Sequence, residues 1–255
     1  ILIFILIIIS KRIKEFFLIF KSFKKIIILS ITAILILTNW TGFILAISFN
    51  KLQDASMGYY MTPIISITLG YIFLNEKMTK LKFISVMIMF ASILFLFVSI
   101  KTMPFLAILI GVTWGLYGLL RKQININAEI GLLYESAFIS IIALPYLIFL
   151  NINGAGYSFN YSLYVTIFLI LTGAVTIFPL FFFNLGIKFI PLGFAGVIFF
   201  MAPTLHFVTS VFIFNESISL PKLITFVLIW IAVIIFIVDV YKEEKTIESN
   251  TQLPS

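Results

Sequence analysis

Arg121 and Glu135 are the residues of this chain best suited to chemistry away from water. Trp114, Tyr117 and Arg121 stand at i, i+3 and i+7, which puts all three on one face of a helix. Tyr134 and Glu135 enter the next helix from the same side, so the spacing predicts that Arg121 and Glu135 meet at its cytoplasmic mouth. An acidic group embedded in an apolar run is a candidate for proton or cation coupling. The competing role for Glu135 is structural, as partner of Arg121 or as a side chain reaching for the interface, and it is the one we favour. His206 is three residues past Pro203. An unperturbed histidine titrates near about 6.5 and suits a proton site, whereas a lone histidine more often packs with its hydrogen bonds satisfied.

A second group could shape a path for a solute. Asn39-Trp40 puts an amide and an indole deep in an apolar run, suited to a polar or aromatic solute or to hydrogen bonding between helices. Tyr59 and Tyr60 precede Pro63 and can stack on a solute or anchor at the interface. Pro63 and Pro203 each remove a backbone donor, which opens a helix locally and frees a carbonyl. Pro179-Leu180 occupies the position matching Asn39-Trp40 in a repeat described below. Glu76 and Glu216, each after an asparagine, are expected to cap helix ends or pair with lysines, and Asp54 to sit in an outer loop.

The elements that must position these residues are membrane helices. Of 255 residues, 62% are hydrophobic and only 11% charged, where a soluble domain carries about a quarter charged. Eight runs reach the roughly 17 to 25 residues a spanning helix needs: 26–49, 57–74, 83–100, 104–120, 131–150, 162–187, 189–214 and 221–240. None alternates polar and apolar residues as a barrel strand does. With no cysteine and one histidine, thiolate and multi-histidine metal sites are excluded, and no cofactor is expected. The net charge of +7 is read as short basic loops orienting helices rather than as a nucleic-acid surface. The segment 10–25 mixes Lys with Phe and reads as a short helix on the inner membrane face. The tail, 241–255, reads as polar and frayed.

The chain also repeats itself. Shifted by 140 positions, Pro63 falls on Pro203, Asn75-Glu76 on Asn215-Glu216 and Lys82 on Lys222. Duplicated apolar halves are a mark of secondary transporters. The same shift makes 1–9 the back half of a helix matching 131–150, and we expect the true N-terminus to be missing, with one whole helix and part of a second. The expected architecture is an all-α polytopic membrane protein of two inverted five-helix repeats, ten helices when intact. Residues 1–100 form the first repeat, 101–240 the second, and 241–255 a cytoplasmic tail. With the C-terminus inside, alternating sides leave only Lys51, Lys101 and Lys222 of the 17 basic residues outside.

Asn39-Trp40, Asp54-Ala55-Ser56-Met57-Gly58-Tyr59-Tyr60 and Pro63 resemble the RarD branch of the drug/metabolite transporter superfamily. So do Tyr117-Gly118-Leu119-Leu120-Arg121-Lys122, Gly131-Leu132-Leu133-Tyr134-Glu135, Pro179-Leu180, Ala202-Pro203-Thr204-Leu205 and Thr225-Phe226. These chloramphenicol-sensitive proteins contain EamA-type repeats, and the resemblance spans essentially the whole chain. It implies ten helices in two inverted repeats in a bacterial inner membrane, and a transporter of a small organic solute or drug. His206 stands where the family pattern leads us to expect an apolar residue.

The function expected is secondary transport by alternating access, with proton coupling as an option. No phosphate-binding G-x-x-x-x-G-K-[ST] loop exists to hydrolyse ATP. The alternatives are a non-transporting truncated fragment, or a multi-span enzyme acting on lipid, which would need a cluster of acids and histidines that is not there. Expected partners are a small-molecule solute and membrane lipid, with a homodimer as an option and no nucleic acid.

Overall fold

In a bilayer core the backbone must satisfy its own hydrogen bonds, in helices or in closed barrels, and among the described residues this chain does so in helices. The computed structural model describes residues 2–9, 11–49, 52–100, 105–154, 162–212 and 219–251, and these are helices and the turns between them. The helices are α1 (Leu2–Ile9), α2 (Ile13–Ile19), α3 (Phe23–Ser48), α4 (Leu52–Leu74), α5 (Lys80–Ile100), α6 (Phe105–Gln123), α7 (Ala128–Ile152), α8 (Leu163–Gly186), α9 (Leu192–Ile198), α10 (Met201–Phe212) and α11 (Leu220–Thr251). Among the described residues, six are long and apolar enough to cross a membrane: α3, α5, α6, α7, α8 and α11.

The two remaining expected spans differ from their sequence reading. Among its described residues, the run 189–214 holds two helices rather than one. It breaks at Phe199-Phe200 into α9 and α10. The cause is Pro203, whose ring collides with the carbonyl four residues back, that of Phe199. The freed Phe199 carbonyl is not left open to a cavity, since it accepts the Ala202 N–H at 3.1 Å in a tighter turn. Pro63, its match in the first half, sits inside α4, and the helix continues on both sides of it. α4 begins at Leu52, so Asp54 lies in a helix and not in a loop. Its stretch Gly58–Leu74 is predominantly apolar. The tail is also more ordered than expected: α11 runs through it to Thr251.

Helix ends follow local chemistry. Asn75 takes φ 54°, a left-handed conformation that asparagine tolerates better than most residues. The Glu76 N–H then closes on the Gly70 carbonyl, six residues back, at 3.1 Å, which satisfies one of the last open carbonyls of the helix. That turn aims Glu76 back along α4. Ser162 caps α8 by accepting the Val165 N–H at 3.2 Å, and Thr79 caps α5 by accepting the Lys82 N–H at 3.1 Å.

The chain divides into two compact units, each drawing on both halves of the sequence. One comprises Ile1–Thr38 and Leu120–Ile190, the other Asn39–Leu119 and Pro191–Ser255. In the second unit, α4, α5, α9 and α11 enclose a core of Ile67, Met89, Ile93, Val197, Phe200, Ile229 and Phe236. Glycines let backbones approach there. A Cβ on Gly111 would stand 3.0 Å from the Gly58 carbonyl on α4, and one on Gly193 3.0 Å from Ile67. Across α5 and α11, Ser85 donates to the Ala232 carbonyl at 2.7 Å.

Candidate functional site

Arg121 ends α6, and its side chain is almost wholly buried, 2% exposed. Three residues of α7 at i, i+3 and i+7 form the face it lies on: Ala128, Gly131 and Glu135. Arg121 Nη2 donates to the Ala128 carbonyl at 3.3 Å. The guanidinium rests on Gly131, where any Cβ would collide with Nη1. Its Nε donates to Asn184 Oδ1 on α8 at 2.6 Å, and Asn184 Nδ2 in turn donates to the Leu180 carbonyl at 2.8 Å. Glu135, also 2% exposed, holds its Oε1 at 3.7 Å from Arg121 Nε. That is an ion pair without a direct hydrogen bond. The same Oε1 accepts the Thr32 hydroxyl of α3 at 2.7 Å. Arg121 Nη1 has no acceptor among the described residues.

Around this centre the charges are tied to backbone or to each other. Lys122 Nζ donates to the carbonyls of Ile187 at 3.0 Å and Ile190 at 2.5 Å. Lys188 donates to the Ile126 carbonyl. Burial first, and then the charge of Arg121, lower the Lys188 ammonium below its ordinary value, with Glu129 acting the other way. Arg12 pairs with Glu129, and Asn127 Nδ2 donates to Glu15 Oε2 at 2.8 Å. The Ser30 and Tyr134 hydroxyls are 3.0 Å apart.

The sequence spacing that put Arg121 with Glu135 therefore holds in space. Sequence reasoning missed Thr32 and Asn184. The only signal was a polar residue inside an apolar run, such as Asn184 after Phe181-Phe182-Phe183.

The second unit holds the solute-path candidates other than Pro179. Asn39 is buried and donates to the Ile110 carbonyl at 2.8 Å and to Thr113 Oγ1 at 3.0 Å, so it ties α3 to α6. Trp40 is half-buried. Tyr59 leans on Phe43, with ring centres 6.1 Å apart. Tyr117 is fully buried beside half-buried Trp114. The break between α9 and α10 is walled by aromatic rings. Trp114 meets Phe199 at 4.6 Å, while Tyr60 and Trp230 meet Phe200 at 5.5 and 5.6 Å. Pro63 and Pro203 are buried, and a Cβ on Gly196 of α9 would stand 3.3 Å from the Pro63 Cα. In the first unit, Pro179 is exposed on an unbroken α8. His206 lies on α10, and its side chain falls outside the described residues.

One further polar cluster went unforeseen. Lys82 of α5 pairs with Glu243 at 2.5 Å and stands 3.8 Å from Asp239, both on α11. The Thr79 hydroxyl donates to Asp239 at 2.6 Å. A cavity of about 490 Å³ lies beside them, bordered also by Glu76, Gly193 and Phe236. Glu76 caps α9, accepting the N–H groups of Leu192 at 2.5 Å and Gly193 at 3.2 Å. Glu216 falls outside the described residues. No group of acidic, histidine or cysteine side chains able to hold a metal occurs among the described residues.

Comparison with known proteins points one way. Residues 101–238 match the EamA-like transporter family. An uncharacterized transporter of Bacillus subtilis, YojE, is 34% identical over 90% of this chain and 78% of its own length. An uncharacterized transporter of Vibrio cholerae is 34% identical over 85% and 72%. Protein RarD of Escherichia coli is 30% identical over 88% and 76%.

Proposed function

The chain belongs to the EamA-like transporter family, and from that premise we propose that it carries a small organic solute across a bacterial plasma membrane by alternating access. It is a multi-pass membrane protein of a transporter family and not an enzyme. The observation that carries the proposal is the discontinuous helix α9–α10. A helix interrupted inside an apolar run, with aromatic rings around the break, is how secondary transporters build a site at mid-membrane. The interruption falls at Phe199-Phe200, which Trp114, Tyr60 and Trp230 surround.

In this proposal the two sequence repeats are inverted copies and the C-terminus is cytoplasmic. Arg121 and Glu135 form a buried ion pair within the first unit. Solute counterflow in proteoliposomes tests the proposal. Exchange of labelled for unlabelled solute is the expected result, and vesicles that remain tight to a broad extract of bacterial metabolites would refute it.

A further inference from the structure

Arg121 brings five N–H donors into a site closed to water. Its Nε and Nη2 have Asn184 and Ala128 as acceptors, and Nη1 has none among the described residues. A buried donor without a partner is costly, and more so on a charged group. The nearest carboxylate does not supply the bond, since Glu135 stands 3.7 Å from Nε and its Oε1 already takes the Thr32 hydroxyl. Guanidinium and carboxylate therefore lack the paired, two-bond geometry that satisfies an arginine. The other acids of the region are committed elsewhere: Glu129 pairs with Arg12, and Glu15 accepts from Asn127 and stands 3.8 Å from Arg12. Lys122 and Lys188 donate to main-chain carbonyls there.

The unmet donor also borders the first turn of α7, at Gly131. Asn127, at the cap position of that helix, makes no side-chain cap bond. The positive end of a 25-residue helix and a charged donor short of an acceptor thus lie side by side.

We infer that the transported solute carries a carboxylate, and that Arg121 Nη1 at the first turn of α7 is the group that receives it when the site opens. This rests on the transport proposal above. Glu135 sets the charge, because a second negative charge on the solute would stand against its carboxylate. A monoanion is favoured for that reason. Gly131 sets the geometry, because any larger residue would occupy the place of Nη1.

The experiment compares benzoate with its neutral isostere benzamide, at matched ionic strength, as stabilisers of the detergent-solubilised full chain. Benzoate should raise the melting temperature in a saturable way and benzamide should not. Arg121→Gln should weaken the apparent affinity for benzoate about tenfold or more, the loss of one charge-assisted hydrogen bond, and Arg121→Lys should restore part of it. Equal effects of the two probes, no effect of benzoate, or full benzoate binding in Arg121→Gln would each overturn the assignment. The comparison of probes on the unaltered protein stands even if Arg121→Gln does not fold. Counterflow separates the two proposals. Exchange of a neutral solute without benzoate stabilisation sinks the carboxylate site and leaves transport standing. Benzoate stabilisation with no solute exchange does the reverse.

Discussion

Gly131 and Arg121 occupy one space: the guanidinium of the arginine lies where any other residue at 131 would carry its Cβ. Gly131→Ala should therefore expel Arg121 from its seat and destabilise the protein by about 1–3 kcal/mol, the usual cost of overpacking. Gly173→Ala is the control, since a Cβ there meets nothing within 4 Å on α8. It should be neutral or slightly stabilising. Thermal unfolding of both variants in detergent checks the contrast, and equal losses would show that Arg121 is not held as described.

Glu135→Gln keeps an acceptor for Thr32 and deletes the counter-ion of Arg121. Leaving one buried charge unpaired costs about 3–5 kcal/mol, so the variant should melt well below the parent. The double variant Arg121→Gln with Glu135→Gln should recover part of that loss. If Glu135 carries coupling protons as well, uptake driven by a pH gradient should vanish in Glu135→Gln while counterflow persists. Unchanged gradient-driven uptake leaves Glu135 with its place in the ion pair alone.

Pro203→Ala restores the missing N–H and removes the clash with the Phe199 carbonyl. It should let α9 run into α10 and stabilise the fold by up to about 3 kcal/mol. If the interruption serves transport, solute exchange should slow at the same time. Pro63→Ala should change exchange less, because α4 is already continuous. A faster Pro203→Ala transporter would contradict the role given to the break.

Glu76→Ala takes the cap from α9. The expected loss is about 1 kcal/mol for the cap, and local protection of the Leu192 and Gly193 amides from hydrogen exchange should fall. Unaltered exchange at both amides would show that the carboxylate is not their acceptor.

Much of this architecture is legible from apolar run lengths, because a bilayer leaves few ways to be long and greasy. Six of the eight runs form helices of spanning length. The run 189–214 misled for a specific reason: length and hydropathy do not register the collision between Pro203 and the Phe199 carbonyl. The run 57–74 is the apolar part of a helix that starts at Leu52. The pairing of Arg121 with Glu135 was readable because both lie close in sequence on faces set by helical spacing. Thr32, 103 residues from Glu135, was not, because only tertiary packing brings α3 to α7. Asp239 escaped notice at the end of a long apolar run, although it joins Lys82 and Thr79.

The hydroxyl of Thr32 has a consequence for how the molecule is born. During translation it leaves the ribosome well before the carboxylate it will serve, and at roughly 5 to 20 residues per second the wait is about 5 to 20 s. Its bond to the Leu29 carbonyl, 3.0 Å within its own helix, can occupy it meanwhile. Arg121 enters the membrane in the same interval, ahead of Glu135. The nascent chain thus inserts a cation first and its acid afterwards, and the order of synthesis is also the order in which the buried pair must find its halves.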